Sequence, residues 1–415
     1  MCRMLICLIV LVTIPIQSSL PQNKEFAGIV SSASPEATNV GVEILERGGN
    51  AFDAAVAVSL ALGASEPAGS GIFGQTVMLV QPSNGEPFVI QGSTLSPKNI
   101  PALVTRKQLV GGRTASTIPS NLKVLSYTYQ NYGSGNLSWK DLVTPSVSLY
   151  ENGFVVGPFR HRAFDHYGMS LKGQKEAARI FLKPDGSAYQ IGETFRQPLM
   201  AKTLARIAQE GADEFYKGSM AREIAEDMQK NGGWITYEDL ENFPDPKIIP
   251  AIKSTYRDHE VVSLPPPFGG WIMLQILNLL EASTPEAISE DNSQRRIALL
   301  NAMRLGHLTR ANDPVPSFYD YDDNISIKLS KSEATRMMEQ YKNGQGGETT
   351  HFSVVDGEGN AIAVTQSIDN YFGALVVHPT LGFLYNNYMQ AVRLKEDGSP
   401  YVLKANEMPL SSMAG

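Results

Sequence analysis

Two adjacent threonines follow a run of glycines in the sequence GQGGETTHFSVVDGEGN, which starts at Gly344. A threonine hydroxyl is a poor nucleophile until a base lies beside it, and a free α-amino group with a pKa of about 7.7 to 8.0 can be that base. Cleavage between Glu348 and Thr349 would place both groups on Thr349. The alternative is a solvated loop before an edge strand, in which Thr349 and Thr350 are ordinary strand formers. Composition alone favours the loop and leaves the processing site open.

Other catalytic and cofactor motifs find little support in this sequence. None of the six histidines forms an H-E-x-x-H pattern, and no G-x-S-x-G turn for a serine nucleophile is present. The stretch SGIFGQT, Ser70 to Thr76, lacks both nucleotide-binding glycine patterns, so a tight connection is its better interpretation. The only cysteines are Cys2 and Cys7. We therefore predict neither a metal site nor a cofactor.

Helical signals dominate the first part of the chain. The spacing of apolar residues predicts a helix over Ala37 to Glu46 that stops at Gly48. A second helix is predicted from Ala51, with Asn50 as its cap and Asp53 in its first turn. Its run AAVAVSLAL indicates burial on nearly all sides.

Strands are predicted on both sides of a largely helical middle. Asn84-Gly85 indicates a hairpin within TVMLVQPSNGEPFVIQG, and residues from about 120 to 242 read as helices. PPPFGG, Pro265 to Gly270, predicts a rigid turn before the apolar helix WIMLQILNLLE. HFSVVD and AIAVTQSI then predict two strands around Gly357 to Asn360. This order predicts a layered α/β or α+β domain.

Composition and charge limit the cellular locations and the binding partners that the protein can have. The 415 residues carry a net charge of −7, with no long basic run, so we predict no nucleic-acid partner. Arg3 and the apolar stretch MLICLIVLVTIPI predict a secretory signal over residues 1–19, with a membrane anchor as the alternative. Asn136-Leu137-Ser138 and Asn324-Ile325-Ser326 are acceptor sequons for a secreted glycoprotein.

Several motifs together resemble one family. GETTHFSVVDGEGNAIAVTQSI, GFLYNN and PLSSM resemble the start of the small subunit of γ-glutamyltranspeptidases (glutathione hydrolases), and GGNAFDAAVAVSLALG, FYKGSMAREIAEDMQKNGGWITYEDL and TYRDHEVVSLPPPFGG resemble the large subunit. This resemblance implies an α+β N-terminal-nucleophile (Ntn) hydrolase fold, a four-layer αββα sandwich. It also implies a precursor that cuts itself into a large subunit, 20–348, and a small subunit, 349–415, which together form one domain.

The resemblance also implies roles for individual residues. Thr349 matches the catalytic nucleophile, and Ser367 falls where the family has a threonine that hydrogen-bonds it. Asp369 matches an asparagine that contacts the substrate's amino group. Ser411 and Ser412 match the pair that binds the substrate's α-carboxylate.

Two departures from the family pattern bear on the substrate. Ser93 falls where the family has a carboxylate-binding arginine, and Tyr388, Met389, Gln390 and Ala391 stand where it usually has acidic residues that hold the amino group. Family members also continue past PLSSM through further strands and an oxyanion hole, so we expect a divergent, C-terminally truncated member with an incomplete sandwich.

The sequence thus predicts a secreted, self-processing hydrolase or acyltransferase with an acyl-enzyme on Thr349. Its substrate would be a small γ-glutamyl or N-acyl amide, and the acyl group would pass to water or an amine. The lost arginine favours an acyl group other than γ-glutamyl. The alternative hypothesis is a secreted binding protein that keeps the scaffold without catalysis.

Overall fold

The central sheet of the protein has six antiparallel strands in the order β1-β9-β10-β2-β3-β6. The structure is a computed structural model that describes residues 27–101, 104–283, 293–312, 321–340, 350–391 and 404–409, together with Ser411 and Met413. The strands of the sheet are β1 (Gly28–Ser31), β2 (Gln75–Gln81), β3 (Phe88–Gln91), β6 (Lys247–Pro250), β9 (Thr350–Asp356) and β10 (Ala361–Ser367). Two short ribbons pair β4 (Phe154–Val155) with β5 (Thr194–Phe195) and β7 (Ile252–Tyr256) with β8 (His259–Ser263).

Helices fill most of the chain between β3 and β6, as predicted. The described helices are α1 (Pro35–Glu46), α2 (Ala51–Ser65), α3 (Arg106–Val110), α4 (Asn121–Tyr132), α5 (Trp139–Asn152), α6 (Pro158–Lys172), α7 (Lys175–Phe181), α8 (Pro198–Glu210), α9 (Asp213–Tyr216), α10 (Ser219–Lys230), α11 (Tyr237–Glu241), α12 (Gly270–Glu281), α13 (Ser293–Asn312), α14 (Tyr321–Lys328) and α15 (Lys331–Gln340). Helices and antiparallel strands in one chain confirm the α+β class.

Helix α2 is the buried element that the sequence predicts. All fifteen of its residues are buried, and Asn50 and Asp53 form the expected capping box at its start. The Ala51 N–H donates to Asp356 Oδ2 at 3.0 Å, which ties the start of α2 to the end of β9. A carboxylate at a helix N-terminus also suits the helix dipole. The helix therefore holds the β9–β10 hairpin in place from one side.

The two faces of the sheet belong to different hydrophobic clusters, because side chains alternate along each strand. Met78, Val80 and Ile90 pack in the large cluster that includes α2. Val77, Val89 and Ile249 point to the other face, where they pack with Leu264, Phe268 and Met413. The second face therefore brings β2 and β3 next to the segment that carries Ser411.

Some predictions fall outside the described residues. These are the secretory signal at 1–19, the processing site Glu348 and Thr349, the partner serine Ser412 and the boundary between the two predicted subunits. Within the described ranges, no helix is both long enough and apolar enough to cross a membrane.

Candidate functional site

The end of the sheet where β9 begins and β10 ends carries the first group of site residues. Thr350 is the first described residue of β9 and pairs with Gln366, so Ser367 is the next residue of β10 at that edge. A Cβ on Gly69 would lie 2.9 Å from Thr350 Oγ1, and one on Gly74 would lie 2.3 Å from the Ser367 carbonyl oxygen. Gly74 within SGIFGQT, together with the preceding Gly69, thus allows a tight connection to pass over this edge, as the sequence predicts.

Gln75 connects Ser367 to Ser411 across the second face of the sheet. Ser367 and Gln75 are opposite each other in the β10–β2 pair. Gln75 Nε2 donates to Ser411 Oγ at 2.9 Å and contacts Met413 Sδ at 2.8 Å, while Gln75 Oε1 accepts from the Thr94 N–H at 3.3 Å. Two residues that the resemblance assigns to the substrate site, Ser367 and Ser411, are therefore brought together. Sequence reasoning missed Gln75, whose signal is a buried polar residue at the start of a strand with an apolar centre, VMLV.

The PPPFGG turn fixes the Ser411 segment against the sheet. The Ser411 N–H donates to the Pro267 carbonyl at 3.2 Å, and the Gly269 N–H donates to the Met413 carbonyl at 2.7 Å. The Met413 N–H in turn donates to Ser411 Oγ at 3.3 Å. Gly269 and Pro267 thus act as a backbone clamp, and the predicted rigid turn has a positioning role.

Asp369 lies beside Ser367 in a strained turn. Its φ is 78°, in the left-handed region that non-glycine residues rarely adopt. The Asp369 N–H donates to Ser367 Oγ at 2.8 Å. Gln390 Nε2 donates to Asp369 Oδ2 at 2.6 Å, and Gln390 Oε1 accepts from Asn370 Nδ2 at 2.9 Å. The carboxylate is thus held by a neutral amide in the segment where the resemblance expects acidic residues.

Burial raises the pKa of the Asp369 carboxyl to about 6, while the hydrogen bond from Gln390 and the charge of Arg310 act in the opposite direction. A carboxyl group whose pKa is higher in the folded protein destabilises the fold once it ionises. Its cost therefore appears as the pH rises from about 4 to about 6 and remains at higher pH.

Replacing Asp369 with asparagine should remove this pH-dependent cost. We expect Asp369→Asn to match the wild type below about pH 4 and to be more stable by about 3 kcal/mol above pH 7. Urea unfolding at a series of pH values measures this difference. Because burial also raises the pKa of Glu66, to about 7, the quantity to compare is the variant minus the wild type at each pH. A constant difference across the series would contradict the prediction.

Tyr388 occupies the space between Ser367 and Met413. Its ring is buried, and its hydroxyl lies 3.5 Å from the Ser367 carbonyl oxygen and 3.7 Å from Met413 Sδ. Burial raises the pKa of the Tyr388 hydroxyl well above its usual value, and the nearby Asp369 charge adds to this. Tyr388 is therefore a neutral hydrogen-bonding group at this site.

Ser93 and Thr94 follow β3 in the chain, and the Thr94 N–H donates to Gln75 on β2. A Cβ on Gly92 would lie 2.4 Å from the Thr76 carbonyl oxygen, so this segment stays close to β2. Both side chains are buried, and within the described part of the chain neither hydroxyl has a hydrogen-bond partner. Buried hydroxyls without partners are uncommon in folded proteins and point to a ligand, water or further group.

A charged hub supports the segment that carries Tyr388 and Gln390. Asp227 on α10 accepts two hydrogen bonds from Arg113, at 3.0 and 3.1 Å, one from the Tyr385 hydroxyl at 2.8 Å and one from Asn231 at 2.9 Å. Arg113 also lies over the Tyr385 ring. Sequence reasoning missed this hub, which links three distant parts of the chain. It positions residue 385 and the residues that follow it.

Among the described residues, no group of three or more His, Cys, Asp or Glu side chains could hold a metal ion. The described site instead consists of hydroxyls, amides and one carboxylate. Such groups can bind and orient an amide substrate through hydrogen bonds.

Sequence comparison places the chain among known enzymes. The family model for gamma-glutamyltranspeptidase matches residues 37–415. The glutathione hydrolase proenzyme of Escherichia coli (strain K12) is 33% identical, with 93% of this chain and 72% of the relative covered. The acylase ACY 1 proenzyme of Pseudomonas sp. (strain SE83) is 30% identical, with 87% of this chain and 69% of the relative covered.

Structural comparison gives the fold. The cephalosporin acylase from Bacillus halodurans matches with a TM-score of 0.83 at 24% identity, over 97% of this chain and 78% of the other. The gamma-glutamyltranspeptidase of Helicobacter pylori matches with a TM-score of 0.69 at 28% identity, over 77% of this chain and 93% of the other. The predicted Ntn-hydrolase fold is confirmed.

Proposed function

Since the chain belongs to the γ-glutamyltranspeptidase family, as its motifs predict, and is a hydrolase of that type, we propose that Thr349 is its nucleophile and is produced by self-cleavage. The observation that carries the proposal is the edge where Thr350 begins β9 opposite Gln366, with Ser367 next to it. Residue 349 is joined by a peptide bond to Thr350, which lies at this edge. Ser367, Asp369 and Ser411 supply polar groups near this edge: the Asp369 N–H donates to Ser367 Oγ, and Gln75, opposite Ser367, donates to Ser411 Oγ.

The proposed reaction passes through an ester on the threonine. The Thr349 hydroxyl attacks the amide carbonyl carbon of the substrate, and the free α-amino group of Thr349 accepts the hydroxyl proton. The carbon–nitrogen bond breaks, and the leaving amine takes up that proton. Water or a second amine then attacks the ester, which releases the acyl group and restores the threonine hydroxyl. No cofactor is needed for these steps.

Self-cleavage between Glu348 and Thr349 would give subunits 20–348 and 349–415. The Escherichia coli and Pseudomonas relatives are both known as proenzymes, which supports a precursor. Strand pairing supports continued association: β9 pairs with β1 and β10 pairs with β2 across this boundary. The two pieces would therefore share one sheet and one core.

We also propose that the chain is secreted. The support is the basic residue and apolar stretch within residues 1–19, which are typical of a secretory signal. Secretion would expose the acceptor sequons at Asn136 and Asn324 to glycosylation.

N-terminal sequencing of the purified full chain tests the nucleophile. A band that begins TTHFSVV would support self-cleavage before Thr349, and covalent labelling of that threonine by an acylating inhibitor would support catalysis. An uncut chain that takes up no label would contradict the proposal. That outcome would favour the binding-protein hypothesis.

A further inference from the structure

A row of uncharged polar side chains crosses the second face of the sheet, starting from the edge where Thr350 begins β9 and Ser367 ends β10. Ser367 and Gln75 lie opposite each other, and Thr94, which follows Ser93, donates its N–H to Gln75. Ser411 covers the row and receives a hydrogen bond from Gln75. None of the side chains that hydrogen-bond Gln75 or Ser411 in the described residues is charged.

Unused hydrogen-bonding capacity lies at the far end of this row. Gln91 Nε2, Ser93 Oγ and Thr94 Oγ1 are buried and have no hydrogen-bond partner within the described residues. A carbonyl or amide group of the substrate placed there could form hydrogen bonds with these three atoms. Each bond would add the net binding free energy that is usual for a buried hydrogen bond. A carboxylate would instead be buried against hydroxyls and amides, and the cation that the strand register places opposite Gln91, Lys247, is exposed, so burial of the charge is unfavourable.

The other end of the row is closed to an ammonium group. Tyr388 fills the space beside Ser367, and the Asp369 carboxylate is already paired with Gln390. An ammonium group would have to displace the Gln390 amide before it could bind Asp369. In the described part of the chain, this end of the row therefore offers no unpaired carboxylate to a zwitterionic acyl group, since Asp369 is bonded to Gln390 and is also acted on by the charge of Arg310.

We propose that this row binds the acyl part of the substrate and selects an acyl chain that is polar but uncharged, such as one ending in a primary amide. The inference rests on Thr349 as the nucleophile, since the row begins beside Ser367. The unbranched Met413 side chain, whose sulfur contacts Gln75, would turn aside when the acyl chain enters. Lys247 is exposed and lies opposite Gln91 across the β3–β6 pair, so its contribution is tested separately from that of the row.

Three p-nitroanilides of nearly equal size separate the possibilities: glutaramoyl (neutral), glutaryl (an anion) and γ-glutamyl (a zwitterion). We expect the full-length, processed protein to cleave the glutaramoyl compound with a kcat/KM about tenfold or more above the other two. A preference for glutaryl or γ-glutamyl would overturn the inference. A glutaryl preference that disappears in Lys247→Ala would identify that lysine as the partner of the carboxylate.

Substitutions at Ser93 test the row directly. Ser93→Arg should raise kcat/KM for glutaryl relative to glutaramoyl by about tenfold or more, whereas Ser93→Met, which adds similar length without charge, should not. Ser93→Ala, which removes only the hydroxyl, should lower the glutaramoyl preference. An unchanged ratio in Ser93→Ala would overturn the inference.

N-terminal sequencing of each variant keeps the two proposals distinguishable. A protein that never produces an N-terminal Thr349 contradicts the proposed function and this inference together. A processed protein that prefers a charged acyl group contradicts this inference alone.

Discussion

Thr349→Ala is expected to remain a single uncut chain and to lose hydrolase activity by about four to six orders of magnitude. The hydroxyl is the group that attacks in both self-cleavage and substrate turnover, and removal of a catalytic nucleophile has effects of this size. Electrophoresis and N-terminal sequencing measure the first effect, and release of p-nitroaniline from the glutaramoyl substrate measures the second.

Thr350→Ala is the matched control for this prediction. Thr350 is also a threonine at the start of β9, but its hydroxyl lies at Gly69 and it pairs with Gln366, not with Ser367. We expect this variant to be cut before residue 349 and to retain activity. If Thr350→Ala stayed uncut while Thr349→Ala were processed, the nucleophile would be Thr350 and the proposed role of Thr349 would be wrong. Thr349→Ser should still be cut, because it keeps a hydroxyl at the same position.

Local signals explain why much of the fold is predictable. The capping box at Asn50 and Asp53 and the hairpin at Asn84-Gly85 each depend on residues within a few positions of one another. Strands β1 and β6 are different, because four residues carry little periodicity and their pairing depends on partners far along the chain. The β7–β8 ribbon has no Asn-Gly or Asp-Gly pair at its turn, which is Arg257-Asp258, so the sequence does not predict this hairpin.

The residues of the candidate site also fall into two groups, those that the sequence identifies and those that only the structure shows. Ser367, Asp369 and Ser411 were identifiable because each lies in a motif that resembles a known family. Gln75 was not, because its role arises from a register that places it opposite Ser367 and from a distant segment held by Pro267. Hydrogen bonds between residues more than a hundred positions apart leave no periodic pattern in a single sequence.

Asp227→Ala should be the most destabilising single change at the hub. Asp227 is buried and paired with the nearly buried Arg113, so its removal leaves an uncompensated guanidinium and an unpaired Tyr385 hydroxyl. Breaking a buried ion pair from one side costs about 3 to 5 kcal/mol in the free energy of unfolding. Urea unfolding in the Thr349→Ala background measures this on one uncut chain, without dissociation of subunits.

Two further variants show which interaction carries the effect. Tyr385→Phe removes a single hydrogen bond and should cost about 1 kcal/mol. Replacing both Arg113 with methionine and Asp227 with leucine removes both charges and should cost clearly less than Asp227→Ala alone, because no buried charge is left unpaired. If the double variant lost as much stability as Arg113→Met and Asp227→Leu lose when their separate effects are added, an ionic hub would be contradicted.

Because residues 386 to 390 follow Tyr385 directly, loss of the hub in the processed protein should also loosen Tyr388 and Gln390. Asp227→Ala is therefore expected to weaken discrimination between neutral and charged acyl groups as well as stability.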